Sequence, residues 1–134
     1  MESASAIVPR APKTCWRLFV DPTRLLAWIP GLRRAQVIAK ERGLPAEIHF
    51  EFASSLVYTL VYTYDVENFE VRWEPKLGRR DGVSGFAKFE PDGDHTRMTY
   101  GLEQGDARSP SERAMGEPTS LIAAFVAFVE REAR

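Results

Sequence analysis

A chain of 134 residues has the length of one domain and can bury about two-thirds of its unfolded surface. With 44% hydrophobic and 28% charged residues and a net charge of −1, its composition excludes disordered and collagenous classes and lacks the positive excess that binding to duplex phosphates requires. Its three Trp, four Tyr and eight Phe are the unusual feature.

In chain order, residues 2–8 alternate small and β-branched side chains and stop at Pro9, which predicts a first strand. Pro12 then opens a helical run over 13–20, where Cys15, Trp16, Leu18 and Phe19 form one apolar stripe. Asp21 followed by Pro22 marks a cap, and Leu25, Leu26, Trp28 and Ile29 fill the inner face of a second short helix that Pro30 and Gly31 stop. From Leu32 the hydrophobic period changes from 3.6 to 2.

Ala35, Val37 and Ala39 alternate with Gln36, Ile38 and Lys40 up to Gly43, and Ile48, Phe50 and Phe52 alternate with Glu47, His49 and Glu51. The longest strand candidate is 56–66. Its inner face carries Leu56, Tyr58, Leu60, Tyr62, Tyr64 and Val66, and its outer face Val57, Thr59, Val61, Thr63 and Asp65. Glu67 and Asn68 turn the chain into Phe69, Val71 and Trp73. After a loop at 77–82, Val83, Gly85, Ala87 and Phe89 share a side, residues 91–94 form a hairpin turn, and Met98, Tyr100 and Leu102 point inward from the last strand. Short turns predict antiparallel neighbours throughout.

Two start signals compete before the final element. Ser109, Pro110 and Glu112 match a capping box, whereas Gly116 and Pro118 disfavour an unbroken helix, so a break is expected and 109–117 stays open between helix and loop. Beyond it Leu121, Ile122, Phe125, Phe128 and Val129 recur at helical spacing, an amphipathic helix of about four turns. The elements add up to an α+β fold: a curved antiparallel sheet of about seven strands, two short helices after the first strand, and a C-terminal helix across the concave face.

At this point the chain resembles the START-like helix-grip (SRPBCC) superfamily, with its polyketide cyclase/dehydrase and lipid-transport members. The resemblance rests on Pro12, Trp16, Leu18 and Asp21, on Trp28, Pro30 and Gly31 closing the second helix, on Trp73, and on Gly85, Phe89, Pro91, Gly93, Thr96 and Tyr100 in the later strands. It covers nearly the whole chain and implies a helix-grip fold with an internal cavity. For activity it implies a range, from aromatase/cyclases and carriers of lipids, hormones and quinones to chaperone regulators.

The inward aromatic face is the strongest functional signal. Tyr58, Tyr62, Tyr64 and Tyr100 bring four hydroxyls to it, more than a dry core of this size satisfies easily, and a pocket would satisfy them. The candidate ligand-binding residues are Trp28, Phe50, Phe52, Tyr58, Tyr62, Tyr64, Trp73, Phe89, Met98, Tyr100 and Phe125. The expected partner is a hydrophobic small molecule, a lipid, polyketide or other aromatic compound, with no nucleic acid and no integral membrane association. A monomer and a homodimer both stay open.

A second reading is a cyclase/dehydrase-type enzyme in which Tyr58, Tyr62 or Tyr100 polarises a carbonyl; a third is an interaction module resembling chaperone activators. His49 with Glu47 and Glu51 falls on the solvent face, His95 falls in a turn, and the pairs Arg33/Arg34 and Arg79/Arg80 read as surface. Cys15, the single cysteine, reads as a buried apolar residue in preference to an activated thiol. No phosphate loop, dinucleotide fingerprint, serine nucleophile motif or Cys/His metal spacing is present, so no cofactor or metal is assigned. One cysteine and no signal-peptide or transmembrane run point to the cytoplasm.

Overall fold

A computed structural model of the chain describes residues 2–76, 83–104 and 117–132. Strand β1 (Glu2–Val8) leads into helix α1 (Pro12–Phe19), a 3-10 turn (Pro22–Arg24) and helix α2 (Leu25–Trp28). Six strands follow: β2 (Leu32–Glu41), β3 (Leu44–Phe52), β4 (Val57–Asp65), β5 (Glu70–Pro75), β6 (Val83–Asp92) and β7 (His95–Gln104). Helix α3 (Pro118–Glu132) comes last.

The local reasons are visible in the residues. Proline stands at the start of α1 and of the 3-10 turn, where its missing N–H has no helical partner to lose. The Asp21 carboxylate accepts from the Thr23 N–H at 3.0 Å and the Thr23 hydroxyl at 2.7 Å, which caps that turn. Pro118 opens α3, the helix that the sequence predicts after a break, and the Leu121 N–H donates to Glu117 O at 3.1 Å. Residues 109–116 of the competing start lie outside the described residues, as do 77–82 with Arg79 and Arg80.

All seven strands form one antiparallel sheet in the order β1-β7-β6-β5-β4-β3-β2. Helix α3 packs chiefly on β1, with lesser contact to β7, α1 and α2, so it covers one end of the concave face. Val8, Cys15, Phe89, Met98, Phe125, Phe128 and Val129 fill that end with almost no exposure.

Four sequence expectations need correction. Ala39 is exposed because register shifts between Val37, Ala39 and Lys40 break the alternation in β2. Val66 is 54% exposed because β4 ends at Asp65 and the chain has begun its turn. Leu26 is 50% exposed, since a single turn of α2 aims only Leu25 and Trp28 inward. The β6–β7 turn is tighter than 91–94: Asp92 pairs with His95 around Gly93 and Asp94, with Gly93 at φ 63°, so His95 is the exposed first residue of β7.

Gly85 has a packing role. It sits in β6 between Trp73 of β5 and Leu102 of β7, and with no side chain of its own it lets the Trp73 indole lean across to Tyr100, ring centroids 5.4 Å apart. A Cβ added at Gly85 would meet Trp73 Cζ2 at 2.9 Å and collide with Gly101 O. Gly85→Ala is therefore expected to lower stability by about 1–3 kcal/mol in urea unfolding, with an unchanged m-value; a stability equal to that of the parent would show that the sheet yields freely here.

Candidate functional site

The residues that α3 leaves uncovered converge at the other end of the concave face. There the inward positions of β3, β4 and β5 (Ile48, Phe50, Phe52, Tyr58, Leu60, Tyr62, Tyr64, Val71 and Trp73) face α1 and α2, and the space between them is a cavity of about 90 Å3. Val83, Tyr100, Leu102 and Leu121 complete the wall toward α3. The lining also includes Pro30 and Ser54, both exposed, so the cavity reaches the surface between the end of α2 and the β3–β4 turn. These two segments are tied by the Ala53 N–H, which donates to Gly31 O at 2.8 Å.

Phe19, at the C-terminal end of α1, is the partition. It packs against Phe89 and Phe125 toward the closed core, at centroid distances of 5.4 and 5.3 Å. It also packs against Trp28, Trp73 and Tyr100, three residues of the cavity wall, at 5.5, 6.2 and 6.2 Å. Each such aromatic contact adds about 0.5–1.5 kcal/mol beyond area burial, so five of them fix this ring firmly.

Of the candidate residues read from the sequence, Trp28, Phe50, Phe52, Tyr58, Tyr62, Tyr64, Trp73 and Tyr100 line the cavity. Phe89, Met98 and Phe125 do not. They are 1%, 0% and 0% exposed and belong to the closed core beyond Phe19. Selecting inward aromatics by period cannot separate these groups, because both ends of the sheet present the same alternation and only the position of α3 divides them. The cavity is also lined by Phe19, Leu25, Ile48, Leu60, Val71 and Leu102, whose inward phase is legible in the sequence but which nothing local distinguishes from ordinary core residues.

The hydroxyls differ in their partners. Tyr64 donates to Pro45 O at 2.7 Å. Tyr62 and Tyr100 make no hydrogen bond to a described residue. Burial pushes the phenols of Tyr62, Tyr64 and Tyr100 well above their ordinary value, and neighbouring phenols add to the effect at Tyr62 and Tyr100. On the wall formed by α2, the Trp28 indole N–H is buried without an acceptor among the described residues.

The other sequence candidates lie elsewhere. His49 is on the convex face, its Nδ1 3.0 Å from the Thr59 hydroxyl and its Nε2 3.9 Å from Glu51. Cys15 is fully buried, 3.6 Å from the Thr96 hydroxyl, and burial pushes its thiol up, away from the activated state. Among the described residues, no group of three or more His, Cys, Asp or Glu side chains is placed to hold a metal ion, and no helix is long and apolar enough to cross a membrane.

No protein-family model matches the chain, and no curated protein sequence does. Solved structures do. A START superfamily protein from Mycobacterium smegmatis superposes with a TM-score of 0.80 at 18% identity, over 97% of each chain. A STAR-related lipid transfer protein from Xanthomonas axonopodis gives 0.70 at 16% identity, over 96% of this chain and 84% of that one. The chain has the START-like helix-grip fold. The Zhui aromatase/cyclase from Streptomyces sp. R1128 shares it at 13% identity, with a TM-score of 0.65 over 98% of this chain and 85% of that one. At these identities the helix-grip likeness is one of fold, and chemistry has to be argued from the cavity itself.

The raised phenols carry a pH prediction. A phenol whose folded pKa lies above its unfolded value of about 10 contributes stability that is fully present below pH 10 and is lost as pH rises beyond it. Absorbance at 295 nm is therefore expected to show Tyr62, Tyr64 and Tyr100 ionising only as the protein unfolds, with the urea midpoint falling above pH 10. Four phenols titrating near pH 10 in the folded protein would contradict the burial.

Proposed function

We propose that this chain binds a hydrophobic small molecule, a lipid, polyketide or other aromatic compound, in the cavity between the sheet and its helices. One observation carries the reading: an otherwise closed core contains an apolar-walled space that opens to the surface at Pro30 and Ser54. The lipid transfer protein and the aromatase/cyclase on the same fold support it. At about 90 Å3 the space takes one small ring or a short chain. It is smaller than the roughly 300–1,000 Å3 of sites for drug-sized ligands, so a polycyclic ligand requires the wall formed by α2 and the β3–β4 turn to move.

A cyclase/dehydrase-type reading draws on the Tyr62 and Tyr100 hydroxyls, which are free of hydrogen bonds to described residues and suited to polarising a carbonyl. The described lining holds no carboxylate, imidazole or amine to act as the base, and raised phenols donate protons in preference to accepting them. Binding is therefore the first reading. The interaction-module reading has weaker support, because the exposed large apolar residues Ile7, Leu26, Ile38, Val57, Val61 and Val66 are spread over β1, α2, β2, β4 and the β4–β5 turn. The free, buried Cys15 fits a reducing compartment such as the cytoplasm.

Trp28 and Trp73 line the cavity and Trp16 does not, so occupancy should quench most of the intrinsic tryptophan fluorescence. A ligand at a hundredfold excess over its Kd adds about 2.7 kcal/mol of stability, a rise of several degrees in Tm. A panel of lipids, quinones and polyketides is expected to contain members that do both. A panel that shifts neither Tm nor fluorescence would contradict binding.

A further inference from the structure

Among the described residues, the polar side chains of the cavity are few and all of them are uncharged. Among the described lining residues there is no Asp, Glu, His, Lys or Arg; their polar side-chain atoms are the hydroxyls of Ser54 and the tyrosines and the indole N–H of Trp28. Tyr64 is already committed to Pro45 O. Among the described residues, the Tyr62 and Tyr100 hydroxyls make no hydrogen bond and the buried Trp28 N–H has no acceptor.

These groups have a geometry. Tyr62 on β4 and Tyr100 on β7 flank Trp73, with ring centroids 6.0 and 5.4 Å from it, because Gly85 leaves the strand between Trp73 and Tyr100 bare. Tyr100 is also near enough to Tyr62 to oppose its ionisation. Burial keeps both protonated at neutral pH, so each presents an O–H.

We infer that the cavity selects an uncharged ligand whose apolar ring lies against Trp73 and whose carbonyl-type oxygen accepts hydrogen bonds from the Tyr62 and Tyr100 hydroxyls. This rests on the binding reading above and specifies the ligand for the same site. Among the described residues three donors in the wall lack acceptors, two hydroxyls and an indole N–H that can only donate, and an oxygen with two lone pairs satisfies the two hydroxyls. A carboxylate has the same acceptor geometry, but it would leave water for a wall whose described residues include no cation, a transfer that strongly disfavours the charged form. A pure hydrocarbon fits the apolar wall and leaves the hydroxyls unpaired.

The test uses three molecules of nearly one shape: acetophenone, α-methylstyrene, in which a methylene replaces the carbonyl oxygen, and benzoate. Each is titrated into the full-length protein at pH 7.5 with amide NMR shifts as the readout, which also report the fold of every variant. Acetophenone is expected to bind about tenfold more tightly than α-methylstyrene, the worth of a hydrogen bond to an otherwise unpaired donor, and benzoate more weakly than both. In the Tyr62→Phe/Tyr100→Phe variant the ratio should collapse toward one, and each single substitution should lower it. If acetophenone and α-methylstyrene bind equally, if benzoate matches acetophenone, or if the double variant keeps the ratio, the polar selectivity is overturned while hydrophobic binding stands. If none of the three binds, the binding reading is overturned and the selectivity with it.

Discussion

The five ring contacts made by Phe19 hold the two halves of this molecule apart. One chain segment, α1, drops this side chain into the concave face of the sheet, where it meets Phe125 of α3, Phe89 of β6, Trp28 of α2, Trp73 of β5 and Tyr100 of β7. A seven-stranded curved sheet offers more inward surface than one 15-residue helix can cover. Helix α3 takes the β1–β7 end, and Phe19 closes that packing off. Beyond it the inward residues of β3 to β5 have α1 and α2 opposite them and a space between.

The chemistry of that space follows from the same division. On the α3 side the large inward residues are hydrocarbon or thioether, Phe89, Met98, Phe125 and Phe128, and the buried Thr96 hydroxyl at that end is satisfied by donating to Arg10 O at 2.7 Å. On the cavity side the tyrosines bring hydroxyls into an apolar environment, where leaving one unpaired costs about 1–3 kcal/mol. Tyr64 finds the Pro45 carbonyl. Tyr62 and Tyr100, on either side of Trp73, do not find a partner among the described residues, which concentrates the unmet hydrogen bonding at one place on the cavity wall.

Much of the architecture was legible in the sequence because each element carried its own local signal. The change of period at Leu32, the proline starts at Pro12, Pro22 and Pro118, and the alternation through β3 to β7 set element type and order. Boundaries failed where a local rule met an irregularity, as at Ala39 beside a register shift and at Leu26 on a helix of one turn. The site was legible in part. Alternation assigns Tyr62 and Phe89 alike to the inner face; which of them meets a cavity depends on where α3 crosses the sheet, a long-range fact that no window of sequence contains. The same limit hid Phe19, which reads as one more core residue on a helical stripe until its neighbours on five other elements are known.

The central claim is that the cavity lies on one side of Phe19 and the closed core on the other. A crystal of the protein under xenon pressure tests it directly, because xenon enters apolar cavities large enough to hold it and leaves well-packed regions empty. Xenon should be found among Leu60, Trp73 and Tyr100. Xenon among Phe89, Met98 and Phe125, or at neither place, would contradict the division.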